Sequence, residues 1–130
     1  MPVGLSATRA HAFLNSLCKG SAFTPPAGVY IKLHVGDPGG NGTANPAAET
    51  RRVQAVFATD AANGQISNTT ALTWSGVTGN EDYTHFSAWS AATGGTFEFS
   101  GLMTANAVLV NDNFSIPVGE LDVVQGGLAS

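Results

Sequence analysis

Residues 28–35 read "GVYIKLHV", and the order of apolar and polar side chains in this stretch decides the fold. Val29, Ile31, Leu33 and Val35 fall on one side, with Tyr30, Lys32 and His34 on the other. Period-two alternation marks a half-buried strand, because successive side chains of an extended chain point to opposite faces. Segments of the same kind follow: "RVQAVFA", "QISN", "ALTWS", "YTHFSAWSA", "TFEFSGLM", "AVLV", "FSIP" and "ELDVV". Turn chemistry separates them. Asn63-Gly64 suits a type I′ hairpin, Gly94-Gly95 supplies positive φ, Asn111-Asp112-Asn113 tolerates left-handed geometry, and Pro117-Val118-Gly119 reverses the chain. About eight short strands without an intervening helix predict an all-β fold, an antiparallel sandwich or barrel.

One segment ahead of the strands has helical period. In "SATRAHAFLNSLCKG", Ala10, Phe13, Leu14, Leu17 and Cys18 form a single stripe, which predicts an amphipathic helix over residues 6–19. Ser6 is the expected N-cap, Lys19 suits the negative end of the dipole, and Gly20 can close the helix in the left-handed conformation. A helix that precedes every strand is not a crossover. The expectation is that it plugs an end of the sheet assembly and buries its stripe; the alternative is that it stands off and grips a neighbour. The length suits a single domain, 1–130, with an N-terminal helix and linker (1–26) and a β-sandwich (27–130).

Charged residues make up 11 % of the chain, against roughly 25 % in ordinary soluble domains. The polar surface is therefore built from Thr, Ser, Asn and Gly, which is cheap to desolvate against other proteins. A net charge of −4 excludes a nucleic-acid binder, which needs a basic face to displace counterions. The distribution is uneven. Arg9, Lys19, Lys32, Arg51 and Arg52 all lie in residues 1–52 beside only Asp37 and Glu49, whereas the rest holds seven acids and no Lys or Arg. Either the halves attract within one fold, or each meets the opposite sign on a neighbour. Cys18 is the one cysteine, so no internal disulfide forms, and its place on the stripe predicts packing. No signal peptide and no run of about 20 apolar residues is visible, so synthesis in a cytosol and no membrane span are expected.

After the first strand comes "GDPGGNGTANPAAETRR", residues 36–52. A phosphate-binding P-loop needs Lys and Ser/Thr behind its glycines, and a dinucleotide fingerprint needs a helix starting at the loop; neither follows. An EF-hand needs alternating oxygen ligands, but Pro38 follows Asp37. Asp37, Asn41 and Glu49 could gather around calcium, yet a Gly/Asn-rich loop needs no metal to exist, and it reads as a projecting connection. His34 and His85 are expected outward on strands and His11 on the helix, without metal-ligand spacing, so no metal or other cofactor is assigned. No G-x-S-x-G occurs, and the adjacent Glu81-Asp82 reads as loop solvation, so no catalytic residue is assigned. Trp74, Tyr83 and Trp89 are the candidates for an aromatic platform that would bind a glycan; the competing reading places such aromatics in the core. Tyr83, His85, Ser87 and Trp89 should share one face, with Thr84, Phe86 and Ala88 on the other.

Taken together, "GLSATRAHAFLNSLCKG", "YIKLHVGDPGGNGTAN", "YTHFSAWSAATGGTF" and "NDNFSIPVGELDV" resemble small β-rich structural proteins of tailed-bacteriophage virions, of the minor tail, tail-fibre or capsid decoration type. Where family members often read "WDAATGG", this chain has Ser90 in "WSAATGG". The resemblance implies a non-enzymatic homo-oligomer on the virion surface, with the major capsid protein or tail components as further partners. We read the chain first as a capsid decoration protein, second as a minor tail or tail-fibre protein, and third as a carbohydrate-binding module. Residues 1–52 are expected to make most contacts, through Arg9, Phe13, Leu17, Asp37, Asn41, Arg51 and Arg52, gaining strength from many weak copies on a lattice.

Overall fold

The structure is a computed structural model that describes residues 3–124, the side chains of Ala105 and Asn106 excepted. One helix, α1 (Ala7–Lys19), precedes eight strands: β1 (Val29–His34), β2 (Val53–Ala55), β3 (Gln65–Ser67), β4 (Leu72–Trp74), β5 (Glu81–Trp89), β6 (Phe97–Val108), β7 (Phe114–Ile116) and β8 (Asp122–Val124). The all-β class with an N-terminal helix holds. The strands divide among three sheets, ordered β2-β1-β5-β6, β3-β8 and β4-β7, and the described pairings close no barrel and form no single sandwich. Every pair is antiparallel. "TFEFSGLM" and "AVLV", expected as two strands, run together in β6.

The turn residues behave as their chemistry requires. Asn63 and Gly64 have φ of 54° and 73°, Gly94 and Gly95 are both left-handed, and so is Asn111. One apolar cluster joins the four-stranded sheet to the β4-β7 sheet: Ile31 and Leu33 of β1, Phe86 and Ala88 of β5, Leu72 and Trp74 of β4, and Phe114 and Ile116 of β7. Each such Ile or Leu contributes roughly 1.5–3 kcal/mol on burial. Trp74 is enclosed without a polar penalty, because its Nε1–H donates to the Arg51 carbonyl at 2.8 Å.

Two irregularities in the β5–β6 ladder redirect side chains. Tyr83 pairs with Asn106 and His85 with Leu102, and across this shift the strict alternation fails. Tyr83 joins the core, edge-on to Phe114 at 5.0 Å, rather than sharing a face with His85, Ser87 and Trp89 as expected. Further along, Ala88 pairs with Phe99 but Trp89 with Phe97, which leaves Glu98 as the extra residue of a bulge.

The expected faces of β1 also need correction. His34 is fully buried, whereas Val35 is exposed. The cause is the 36–48 segment, which does not project but folds back over the second face of the large sheet. Val35 donates to Asn45 O and Ala47 to Leu33 O, and His34 bridges to Pro46. Both faces of β1 are therefore covered near its end.

Candidate interaction surface

The helix is held near its N-terminal end, through Ser6, Arg9 and Phe13. Ser6 caps it, with its side chain accepting from Arg9 N, and Gly20 closes it at φ 71°. Ser6 N donates to Glu98 O, and Leu5 bridges to Phe99, so the chain entering α1 lies along the outer edge of β6. The bulge aims the buried Glu98 carboxylate at Arg9, which forms a two-pronged pair through Nε at 2.6 Å and Nη2 at 2.8 Å. The hydrogen bonds to Glu98 hold the Arg9 guanidinium firmly protonated. Arg9 also caps the Phe23 ring at 5.2 Å, and Phe13 lies against the same ring at 4.8 Å.

Beyond Phe13 the stripe stays open among the described residues. No residue of α1 is buried; Leu14 is 55 % exposed, Leu17 83 %, and Cys18 is exposed too. The plug expected from amphipathicity does not form, because a polar fork and the Phe13–Phe23 contact fix the helix at one end of the β6 edge. A period-3.6 stripe shows that a face seeks apolar company, not where that company lies.

Two hollows adjoin this edge. One of about 590 Å³ opens beneath the helix base, lined by Leu5, Phe13, Phe23, Ile66, Phe99 and Val124 among others. The second, about 310 Å³, lies between β6 and β7, with Phe86, Leu102, Met103, Phe114, Ile116 and Leu121 as its apolar lining and Glu120 and Asp122 as its acids. Leu102, 69 % exposed, is among its lining residues. Reading the sequence missed Leu102, although a signal existed: it alternates with Ser100 on what is otherwise a polar row of β6.

The glycine-rich segment turns out to be scaffold. His34 Nδ1 lies 2.8 Å from Ala44 O and Nε2 lies 2.7 Å from Ser87 Oγ, which also accepts from Trp89 Nε1–H at 2.8 Å. These contacts fit one neutral tautomer: Trp89 donates to Ser87, Ser87 to His34 Nε2, and His34 Nδ1–H to Ala44. Burial pushes the His34 pKa down. A His–Ser pair at 2.7 Å has the geometry of nucleophile activation, but both side chains are fully buried and no substrate reaches them. Gly42 lies against Phe97 at φ 74°, and Phe97 in turn packs on Trp89 at 5.6 Å.

The remaining site candidates are spent mostly inside the molecule. Arg51 grips the buried Glu49 through Nε (2.9 Å) and Nη2 (2.7 Å), and Nη2 also reaches Ser75 O at 2.6 Å. The hydrogen bonds from Arg51 hold the Glu49 carboxyl below its usual range. Arg52 donates to Ala91 O and Gly94 O and lies 4.3 Å above the Trp89 ring. Asp37 Oδ1 accepts from Gly39 N, and Asn41 is exposed. Asp37, Asn41 and Glu49 are not gathered around one point: among the described residues no cluster of three His, Cys, Asp or Glu is placed to hold a metal.

The aromatic platform is not assembled. Trp74 and Tyr83 are core residues, and Arg52 covers the Trp89 ring. The Tyr83 hydroxyl is buried without a hydrogen-bond partner, and burial, with Glu81 and Glu49 nearby, pushes its pKa up to about 12. What the surface offers instead is an apolar helix face and an apolar cleft with an acidic rim.

No curated protein matches the sequence. A family model described as podophage GP4 fiber I protein gp80 matches residues 4–124, and the chain belongs to that family. It is a non-enzymatic structural protein of a phage virion, and the match favours the tail-fibre alternative over capsid decoration.

Proposed function

We propose that the chain is a building part of a phage tail fibre, presented on the particle surface and joined to copies of itself and to other tail components. The family match over residues 4–124 carries this reading. The surface supports it: a helix with no buried residue is a handle for assembly, and low charge keeps desolvation at a contact inexpensive. A fibre part is bound through many copies, so each contact can be weak.

The test is placement on purified particles. Gold-labelled antibody against this chain should decorate the tail, and its band should be far weaker than that of the major capsid protein. Labelling across the whole shell, with a band comparable to the major capsid protein, would restore the decoration reading and sink the fibre reading.

A further inference from the structure

The exposed helix face and the cleft on β6 are two halves of one contact. We propose that α1 of one copy docks head to tail into the β6–β7 cleft of a second copy, with Leu14 and Leu17 entering the cleft past Leu102. The apolar match is one argument. Leu14 and Leu17 are 55 % and 83 % exposed, and the cleft is a preformed hollow of about 310 Å³ with Phe86, Met103, Phe114, Ile116 and Leu121 in its walls.

Charge selects the occupant and the geometry. The helix carries Arg9, His11 and Lys19 and no acid at all, and the cleft rim carries Glu120 and Asp122. Among the described residues Lys19, Glu120 and Asp122 take part in no ion pair. Arg9 is already satisfied by Glu98, so the free cation of the helix is Lys19, and a helix in the neighbour's cleft brings it to Glu120 and Asp122. The hollow beneath the helix base is a poorer host, because its one acid, Glu98, is already neutralised by Arg9. That same fork ties each helix away from the cleft of its own chain. A contact between two different patches leaves one helix and one cleft free in every pair, so it propagates until a ring closes or a filament grows. This inference leans on the fibre reading only for the presence of many copies.

The decisive experiment measures the mass of the full-length chain in solution by light scattering and sedimentation. The wild type should be oligomeric and dissociate on dilution. Leu17→Asp removes the helix side and Leu102→Asp the cleft side; both positions are exposed, so circular dichroism should be unchanged. Each variant alone should be monomeric, its contact weakened by about ten- to hundredfold, as expected for denying one leucine its burial. Mixed, the two should form a dimer and stop there, because one intact helix and one intact cleft remain. Lys19→Glu should weaken assembly, and adding Glu120→Lys with Asp122→Lys should restore it. The proposal is overturned by a wild-type chain that stays monomeric at all concentrations. It is equally overturned if Leu102→Asp leaves the oligomer intact, as in helix-to-helix pairing, or if the mixed variants stay monomeric. Antibody labelling of particles and solution mass are separate readouts, so the fibre placement and this contact stand or fall apart.

Discussion

Replacing Gly42 with alanine tests whether the glycine-rich segment is a packed part of the sheet or a loose connection. Two costs add at this position. With φ at 74°, a side chain in the left-handed region costs about 1–2 kcal/mol. The new methyl would also sit 2.4 Å from the Phe97 ring, which is itself confined by Trp89 at 5.6 Å, and overpacking of this kind costs about 1–3 kcal/mol. Together they come to about 2–5 kcal/mol. With an unfolding entropy of about 2.1 cal/mol/K per residue over 130 residues, 1 kcal/mol moves Tm by about 4 °C. Gly42→Ala should therefore lower Tm by about 8–18 °C. Gly119→Ala is the internal control, because its φ is 81° but nothing lies within 4 Å of the added carbon. It should carry only the backbone cost, about 4–7 °C. Thermal melts of both variants by circular dichroism provide the assay. Equal shifts would mean that Phe97 yields freely and the segment is not pinned, which refutes the reasoning.

Other perturbations test separate parts of the scaffold. His34 has a depressed pKa in the fold, so its contribution is present above its ordinary value of 6.5 and is lost as pH falls through the folded value; Glu49 behaves likewise below 4.5. Urea midpoints should thus fall on acidification from pH 7 to 5 and again below 4.5, and His34→Gln should flatten the first step. Ser87→Ala leaves His34 Nε2 and Trp89 Nε1–H without their shared partner and should cost about 1–3 kcal/mol by urea unfolding at pH 7.5. Arg9→Ala strands the buried Glu98 carboxylate, so a loss of about 3 kcal/mol and a weaker helical signal at 222 nm are expected, to be read from circular dichroism. Tyr83→Phe deletes a buried hydroxyl that has no partner and should leave Tm unchanged or raised; a fall would show that the hydroxyl is bridged to Glu49 or Glu81 through solvent.

What was legible in the sequence was what neighbouring residues decide. Ser6, Lys19 and Gly20 mark the helix ends because capping is a matter of a few adjacent groups, and the same holds for Asn63-Gly64 at its hairpin. The unreadable features depend on residues far apart in the chain. His34 is buried because Ala44 and Ser87 come to it from two different directions, the latter 53 positions away. Tyr83 reaches the core through a ladder irregularity that alternation in one strand does not reveal. The stripe on α1 was visible, but its partner was not, since Leu102 stands among polar neighbours and draws attention only once β7 is beside it. Arg51 and Arg52 read as surface contacts because consecutive arginines resemble a basic patch; that each also braces a loop depends on carbonyls and a carboxylate the sequence does not place.

The uneven charge of the chain gains meaning from this internal use of arginine. Of the five cations, Arg9 alone is paired with an acid beyond residue 52, while Arg51 is paired with Glu49 and Arg52 serves backbone carbonyls. The excess of acid in the second half is therefore not cancelled by folding: Asp60, Glu81, Asp82, Asp112, Glu120 and Asp122 enter no ion pair among the described residues. Each molecule consequently shows an apolar helix ending in Lys19 at one end of the β6 edge and carboxylates around an apolar hollow further along it. Attraction between the unlike patches, Lys19 on one copy and the carboxylates on the next, favours a repeating, directional contact. Low charge keeps desolvation inexpensive over the whole surface, and these two patches are the places where sign and shape coincide.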